Sequence, residues 1–398
     1  VRATGSAGID TIFGADSGSP DVVAATDDRA WLTAMLDVER ALAEAAASVG
    51  LVDGGSASAV ALACDPARFD VAALAEGRQR DATPVIALVR RLRELVPERA
   101  RAAVHVAVTS QDVVDTAMML IARRALTPVL DDASATAELL AGLVVDHRDT
   151  VQLGRTLLQH ATVTTFGAVC AARLVAVDDA AVRLADTAAG LLAVQLGGAT
   201  GTLAPAGPLG VRLVAEVAVR LDLAEPVTPW HTTRGRVGRL AGDLGVLAGE
   251  LAGVAQDVVL LSGSDVGEVS VAAPGGSSAM PHKRNPSRAV LAAAAAHGVP
   301  GLVATALAGM PQELQRAAGR WQAEPAMMTG LLRAVGATAR HTRGTLEGLV
   351  VHPDVMRAAV TAFVADSHGV LDTGSAGAFA DRALTAHAGA RAARSRLR

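Results

Sequence analysis

Apolar residues recur at three- and four-residue spacings along almost the whole chain, with no convincing alternation of apolar and polar positions. That periodicity leaves helices as the building material, so the fold class is read as all-α. In "DDRAWLTAMLDVERALAEAAASVGLV", Trp31, Leu32, Met35, Leu36, Val38 and Leu42 share one broad face, and Gly50 supplies the stop. A second helix, "TPVIALVRRLRELV", carries Pro84 early, where a missing N–H costs little. From Asp112 the pattern lengthens into one long helix expected to bend near Pro128. Two more long helices are expected at about 166 to 196 and 234 to 263, the last so apolar all round that other helices should enclose it.

Long helices joined by glycine-rich loops make a bundle. The expected division is a small N-terminal helical domain at 1–103, a central long-helix bundle at 104–345, and a short C-terminal helical domain at 346–398. The end of the last, "AGARAARSRLR", should fray.

A hydrophobic content of 51% and a mean hydropathy of +0.35 exceed what one chain of 398 residues needs for its own core. An oligomer is therefore expected. The net charge of −4 comes without a basic tract, and tyrosine is absent, so neither nucleic acid nor an anionic membrane is an expected partner. Cys64 and Cys170 stand far apart outside any metal-spaced cluster, as reduced thiols in a cytoplasmic protein would. The first ten residues lack the pattern of a secretion leader. The run 289–310 imitates a membrane span, but His297, Gly298, Pro300 and Gly301 interrupt it, and a buried helix pair is the expectation.

Polar side chains that do not fit a solvated helix face collect in three places. In "HVAVTSQDVVDT", Thr109, Ser110, Gln111 and Asp112 precede an apolar run, a position where Ser110 or Asp112 would serve as a helix cap. "GRTLLQHATVTTFG" puts Arg155, Thr156, Gln159 and His160 ahead of a long helix, a polar crossover on the simplest reading. The third place, "GGSSAMPHKRNPSRA" at 275–289, is chemically too diverse for a flexible linker.

Its core, "GSSAMPHKRNP", resembles the signature loop GSSxMPxKxNP of the fumarase/aspartase superfamily, and the other two stretches resemble that family's other signature regions in the same order. The resemblance covers roughly residues 25 to 350. It implies a long-helix bundle in a homotetramer, with each active site assembled from three subunits. It also implies chemistry in which a proton moves beside a carboxylate while a group leaves, or attacks, the adjacent carbon.

By that resemblance Ser277 aligns with the catalytic base and Ser278 with its neighbour, while Lys283, Asn285 and loop N–H groups would hold the developing carboxylate charge. Gly275 and Gly276 would let the loop close as a lid. Thr109, Ser110, Gln111, Arg155, Thr156, Gln159, Met280 and Arg316 are the implied substrate-binding residues, together with His105 and His231.

Many superfamily members carry a histidine directly after "GRT", where it protonates or activates the departing group; here Leu157 occupies that position. A carboxylate, with a solution pKa near ~4, departs without a proton. The branch of cofactor-independent 3-carboxy-cis,cis-muconate cycloisomerases fits that chemistry. "TPWHTTRGR" resembles its PWHTxRDR, with Gly235 replacing an aspartate, and "PQELQRAAGRWQAE" resembles its QEHERAAGxWQAE, departing at Leu314 and Gln315. The substrate implied is a small tricarboxylate; neither a metal nor an organic cofactor is expected. A nitrosuccinate or adenylosuccinate lyase, or a silent structural relative, are the rival readings.

Overall fold

The computed structural model describes residues 19–367 and 370–396. The segment read for a leader lies outside the described residues. Fourteen α-helices are present among those described. The first five are α1 (Pro20–Thr26), α2 (Asp28–Val49), α3 (Gly54–Ala63), α4 (Val71–Asp81) and α5 (Val85–Leu95). Then come α6 (Ser110–Asp146), α7 (Phe166–Leu191), α8 (Gly210–Leu221), α9 (Gly235–Leu261), α10 (Ser287–His297) and α11 (Val299–Ala308). The last are α12 (Arg320–Glu347), α13 (Pro353–Ser367) and α14 (Ala376–Arg396).

The local signals act as expected. Asp27 accepts a hydrogen bond from the Ala30 N–H at the start of α2, and Gly50 ends it at φ 86°, its N–H donating to the Ala46 and Ala47 carbonyls. Pro84 caps α5 without interrupting it. The helix α6 runs through Pro128 over 37 residues.

The chain forms two compact units, a different partition from three consecutive domains. Of the described residues, the first takes those up to 127, 187–242 and 301–333; in it α2 packs against α3 and α8. The second takes 128–186, 243–300 and those from 334 on.

Four sequence expectations change. The "GRTLLQHATVTT" stretch is not a crossover but an antiparallel hairpin, β1 (Val151–Thr156) with β2 (Gln159–Thr165), backed by α13. A second small pair joins β3 (Val269–Val271) to β4 (Leu349–Val351). The helix α9 is enclosed on one side only: Leu240, Leu244, Leu247, Leu251, Val254 and Val258 are buried, while Val246 is 53% exposed. In α10 and α11 the expected buried pair is also half open, since Val290, Leu291 and Leu307 each stay about half exposed. Gly235–Leu261 and Ser287–Ala308 are each long and apolar enough to cross a membrane, a test that the core helix of a soluble protein also passes.

The chain's end does not fray over its described part. In α14 the His387 Nδ1 lies 2.7 Å from Asp178 of α7, the Arg394 guanidinium pairs with the same buried carboxylate, and Arg391 reaches Glu138. Two ionic contacts to one buried acid fix a helix whose sequence alone has little apolar face.

Candidate active site

Three of the quoted stretches meet in the first unit, around two buried acids on one face of α6. Asp112 is fully buried and accepts from the N–H groups of Thr109, Gly197 and Gly198, from the Gln195 amide, and from His231 Nε2 at 2.6 Å. Its role is thus a cap and more: it fixes the His231 ring. A Cβ on Gly197 would come within 2.7 Å of His231 Cε1, so only glycine lets the ring sit there.

Three residues on, Asp115 receives a forked pair of bonds from Arg234, at 2.7 and 2.9 Å, and Glu324 takes the other side of the same guanidinium. Trp230 lies under that cation, 4.8 Å from ring centre to Cζ. Burial opposes the Arg234 charge, but the two carboxylates outweigh it and hold its pKa above the ordinary value. Burial also pushes Glu324 above the usual carboxylate range. The "PWHTTRGR" and "PQELQRAAGRWQAE" stretches are therefore joined by one buried ion cluster.

Of the expected substrate-binding residues in this unit, Gln111 is buried and committed: its amide nitrogen donates to Asp115 and to the His231 carbonyl. Its Oε1 is buried with no hydrogen-bond partner among the described residues, as is the Arg316 Nε. The Arg316 Nη2 donates to the Gly198 and Ala199 carbonyls. Thr109 and Ser110 are half-buried at the start of α6.

His105 is held by Glu39, a fully buried carboxylate, which accepts from its backbone N–H and lies 2.6 Å from its Nδ1. Burial works against the charged ring, yet the charge and hydrogen bond of Glu39 prevail and raise the His105 pKa. A raised histidine pKa stabilises the fold fully below the unfolded value near ~6.5 and ceases to do so as pH rises through the folded-state value. The thermal midpoint gap between the protein and His105→Asn is thus expected to be widest near pH ~5.5 and to narrow toward pH ~8.5. Thermal unfolding across that range checks it, and a gap widening with pH would contradict it.

In the second unit, the hairpin brings Arg155, Thr156 and Gln159 together, with Thr156 opposite Gln159 and Arg155 opposite His160. The Arg155 guanidinium is not free for a substrate carboxylate, because it forks onto the buried Glu268, at 2.6 and 3.2 Å, beside Gln152 on the same acid. His160 packs edge-on against Phe363. Leu157 and Leu158 form the tip, 96% and 73% exposed.

The signature loop is closed at its base by paired backbone bonds between Gly275 and Asn285, at 2.9 and 3.1 Å. A Cβ on Gly275 would overlap the Ser287 hydroxyl. The Asn285 amide donates to the Gly276 carbonyl, which helps to shape the loop. Ser277 Oγ accepts from the N–H groups of Met280, at 3.1 Å, and Ala279, at 3.4 Å. Two backbone donors aimed at one hydroxyl oxygen favour its anion. Ser278, Met280 and Lys283 are exposed along the same loop. No hydrogen bond or ion pair joins it to the hairpin among the described residues.

A family model described as lyase matches residues 16–301. The chain belongs to the fumarase/aspartase lyase family. This lyase is 41% identical over 336 residues to a 3-carboxy-cis,cis-muconate cycloisomerase of Pseudomonas aeruginosa, covering 83% of this chain and 73% of that protein. It is also 41% identical over 356 residues to a nitrosuccinate lyase of Streptomyces davaonensis, covering 86% and 75%. The solved 3-carboxy-cis,cis-muconate lactonizing enzyme of Pseudomonas putida superposes with a TM-score of 0.88 at 31% identity, over 94% of this chain and 98% of that one.

The acids Glu39, Asp115, Glu268 and Glu324, with Arg234, escaped the sequence reading. Asp115 carried a signal, since it lies three residues after Asp112 on an otherwise apolar helix face.

Proposed function

We propose that this lyase lactonises 3-carboxy-cis,cis-muconate to 4-carboxymuconolactone, without a cofactor, as a cytoplasmic homotetramer. The observation that carries the reading is an intact base loop combined with a hairpin tip that has no acid. Ser277 Oγ sits in a two-donor N–H cradle, whereas Leu157, in the place where many relatives present a histidine, is aliphatic and almost fully exposed.

In the lactonising direction a carboxylate oxygen of the substrate adds to its own double bond and the electron pair passes to the carbon beside a second carboxylate. Ser277 delivers the proton to that carbon. The alkoxide left behind is held by the Met280 and Ala279 N–H groups until solvent reprotonates it, and Lys283 supplies the nearby positive charge. The reverse direction expels a carboxylate, which needs no acid. Arg155 and Asn285 act as positioning residues: one anchors the hairpin to Glu268, the other fixes the loop. The half-exposed leucines and valines of α9, α10 and α11 support a tetramer that buries them.

The 41% identity to the nitrosuccinate lyase favours a second reading, in which nitrite is the departing group. Nitrite, too, leaves unprotonated, so Leu157 suits both. Incubating the purified protein with 3-carboxy-cis,cis-muconate and with nitrosuccinate, followed by ultraviolet absorbance, separates them. Loss of the muconate chromophore with no nitrite release is the expected result; nitrite release alone would replace the first reading by the second.

A further inference from the structure

A cavity of about 600 Å³ runs along the exposed side of α5 in the first unit. Ile86 and Val89 form its apolar floor, and Arg90, Arg93, His105 and Ser110 stand around it. Positions 86, 90 and 93 follow one another at i, i+4 and i+7, so they share one helix face. Neither Arg90 nor Arg93 makes an ion pair among the described residues. Arg101, also on the rim, has its Nε donating to the Arg93 carbonyl, which holds a third guanidinium at the end of α5. The one carboxylate on the lining, Glu94, is already taken by Arg91 at 3.0 Å.

Asp81 feels the charge of Arg90 but is forked onto by Arg80, so two neighbouring guanidiniums without an ion-pair partner repel each other, and a carboxylate placed between them removes that repulsion while accepting charge-assisted hydrogen bonds. The surroundings act in the same direction. Glu39 holds the His105 Nδ1, leaving Nε2 as the ring nitrogen open to a ligand, and Ser110 begins a helix of 37 residues whose amino end favours an anion. His105 is held at φ 60°, a conformation rare outside glycine, with Glu39 accepting from its backbone N–H and meeting its ring. An apolar floor beneath a cationic rim suits a ligand with a short carbon skeleton and several carboxylates.

We propose that Arg90 and Arg93 bind the additional carboxylate that a tricarboxylate substrate has and a dicarboxylate lacks, so that this face of α5 sets substrate class. The inference rests on the cycloisomerase reading and deepens it, since nitrosuccinate has only two carboxylates.

The test is a double variant, Arg90→Gln with Arg93→Gln, and its lysine counterpart. Both positions are exposed, so the thermal midpoint should stay within that of the parent protein. With 3-carboxy-cis,cis-muconate the glutamine variant is expected to raise KM roughly tenfold or more while kcat changes less than about threefold, the pattern of lost uniform binding. The lysine variant should recover part of the loss, because charge without the planar fork is retained. In parallel, calorimetry compares propane-1,2,3-tricarboxylate with glutarate. The parent protein should prefer the tricarboxylate by about tenfold, and the glutamine variant should lose that preference. Equal affinity for the two acids in the parent protein, or a preference that survives both glutamines, overturns the subsite even if the muconate is turned over. A preference abolished by the glutamines, in a protein that turns over no carboxymuconate, supports the subsite and sinks the cycloisomerase reading instead.

Discussion

Ser277→Ala is expected to lower kcat with 3-carboxy-cis,cis-muconate by ~10³-fold, within the range over which a positioned proton-transfer group contributes. A serine hydroxyl exchanges protons poorly near neutral pH unless its anion is stabilised locally. Here that stabilisation has two visible donors, the Met280 and Ala279 N–H groups, and a lysine six residues on in the same closed loop. Alanine keeps the loop's backbone but leaves those donors aimed at nothing that carries a proton. KM should change far less than kcat, because the carboxylate-binding groups are elsewhere. Among the described residues the Ser277 hydroxyl hydrogen-bonds within its own loop, so the urea midpoint should stay unchanged. Steady-state kinetics and urea unfolding on one preparation check both halves. A variant that keeps more than about a tenth of the parent kcat would remove Ser277 from the proton-transfer step.

The places where the backbone is strained fall where the chemistry is expected. Eight residues other than glycine have positive φ among the described residues, and five lie in the quoted stretches: His105, Ala107, Leu157, Leu158 and Leu314. Each such residue costs roughly 1–2 kcal/mol relative to an unstrained one. Leu157 and Leu158 are the clearest case. A two-residue hairpin turn with both residues left-handed favours Asn-Gly, and here it holds two leucines directed into solvent. Stability of the single chain does not account for that choice.

The same hairpin marks a limit of what the sequence discloses. Its strands contain a bulge between Leu153 and Arg155 and a turn without any of the usual turn residues, so neither the alternation nor the punctuation of a hairpin survives in the letters. The helices were legible because their signals are local: caps at Asp27 and Gly50, a proline at the start of α5, and three- to four-residue spacing throughout. The family was legible through one ungapped stretch, GSSAMPHKRNP, whose loop the structure closes at Gly275 and Asn285. The pairing of Arg155 with Glu268 was not, since the two lie 113 residues apart and an arginine in a polar motif looks the same whether it faces a ligand or a buried acid. The single-chain exposure of α9 and α10 is not legible for a related reason. Apolar composition predicts burial, but not whether the same chain or another copy provides it.

Arg234→Met should destabilise the fold by about 3–5 kcal/mol, the loss typical when one partner is removed from a buried ion cluster. Arg234 heads the largest side chains with essentially no exposure among the described residues, and there it is the one cation paired with Asp115 and Glu324, which are themselves buried. Methionine fills a similar volume, so packing is roughly conserved and the lost term is electrostatic. Two uncompensated acids then remain in a space where burial already pushes Glu324 upward. The variant should therefore regain stability as pH falls and the acids take up protons, the opposite of ordinary acid unfolding. Adding Asp115→Asn and Glu324→Gln to Arg234→Met should recover most of the deficit at neutral pH, because neutral amides replace stranded charges. Urea unfolding at pH ~5 and ~7.5 measures each expectation. A single variant that loses less than about 1 kcal/mol, or that weakens further in acid, would mean that the cluster's carboxylates are not ionised against Arg234 in the folded protein.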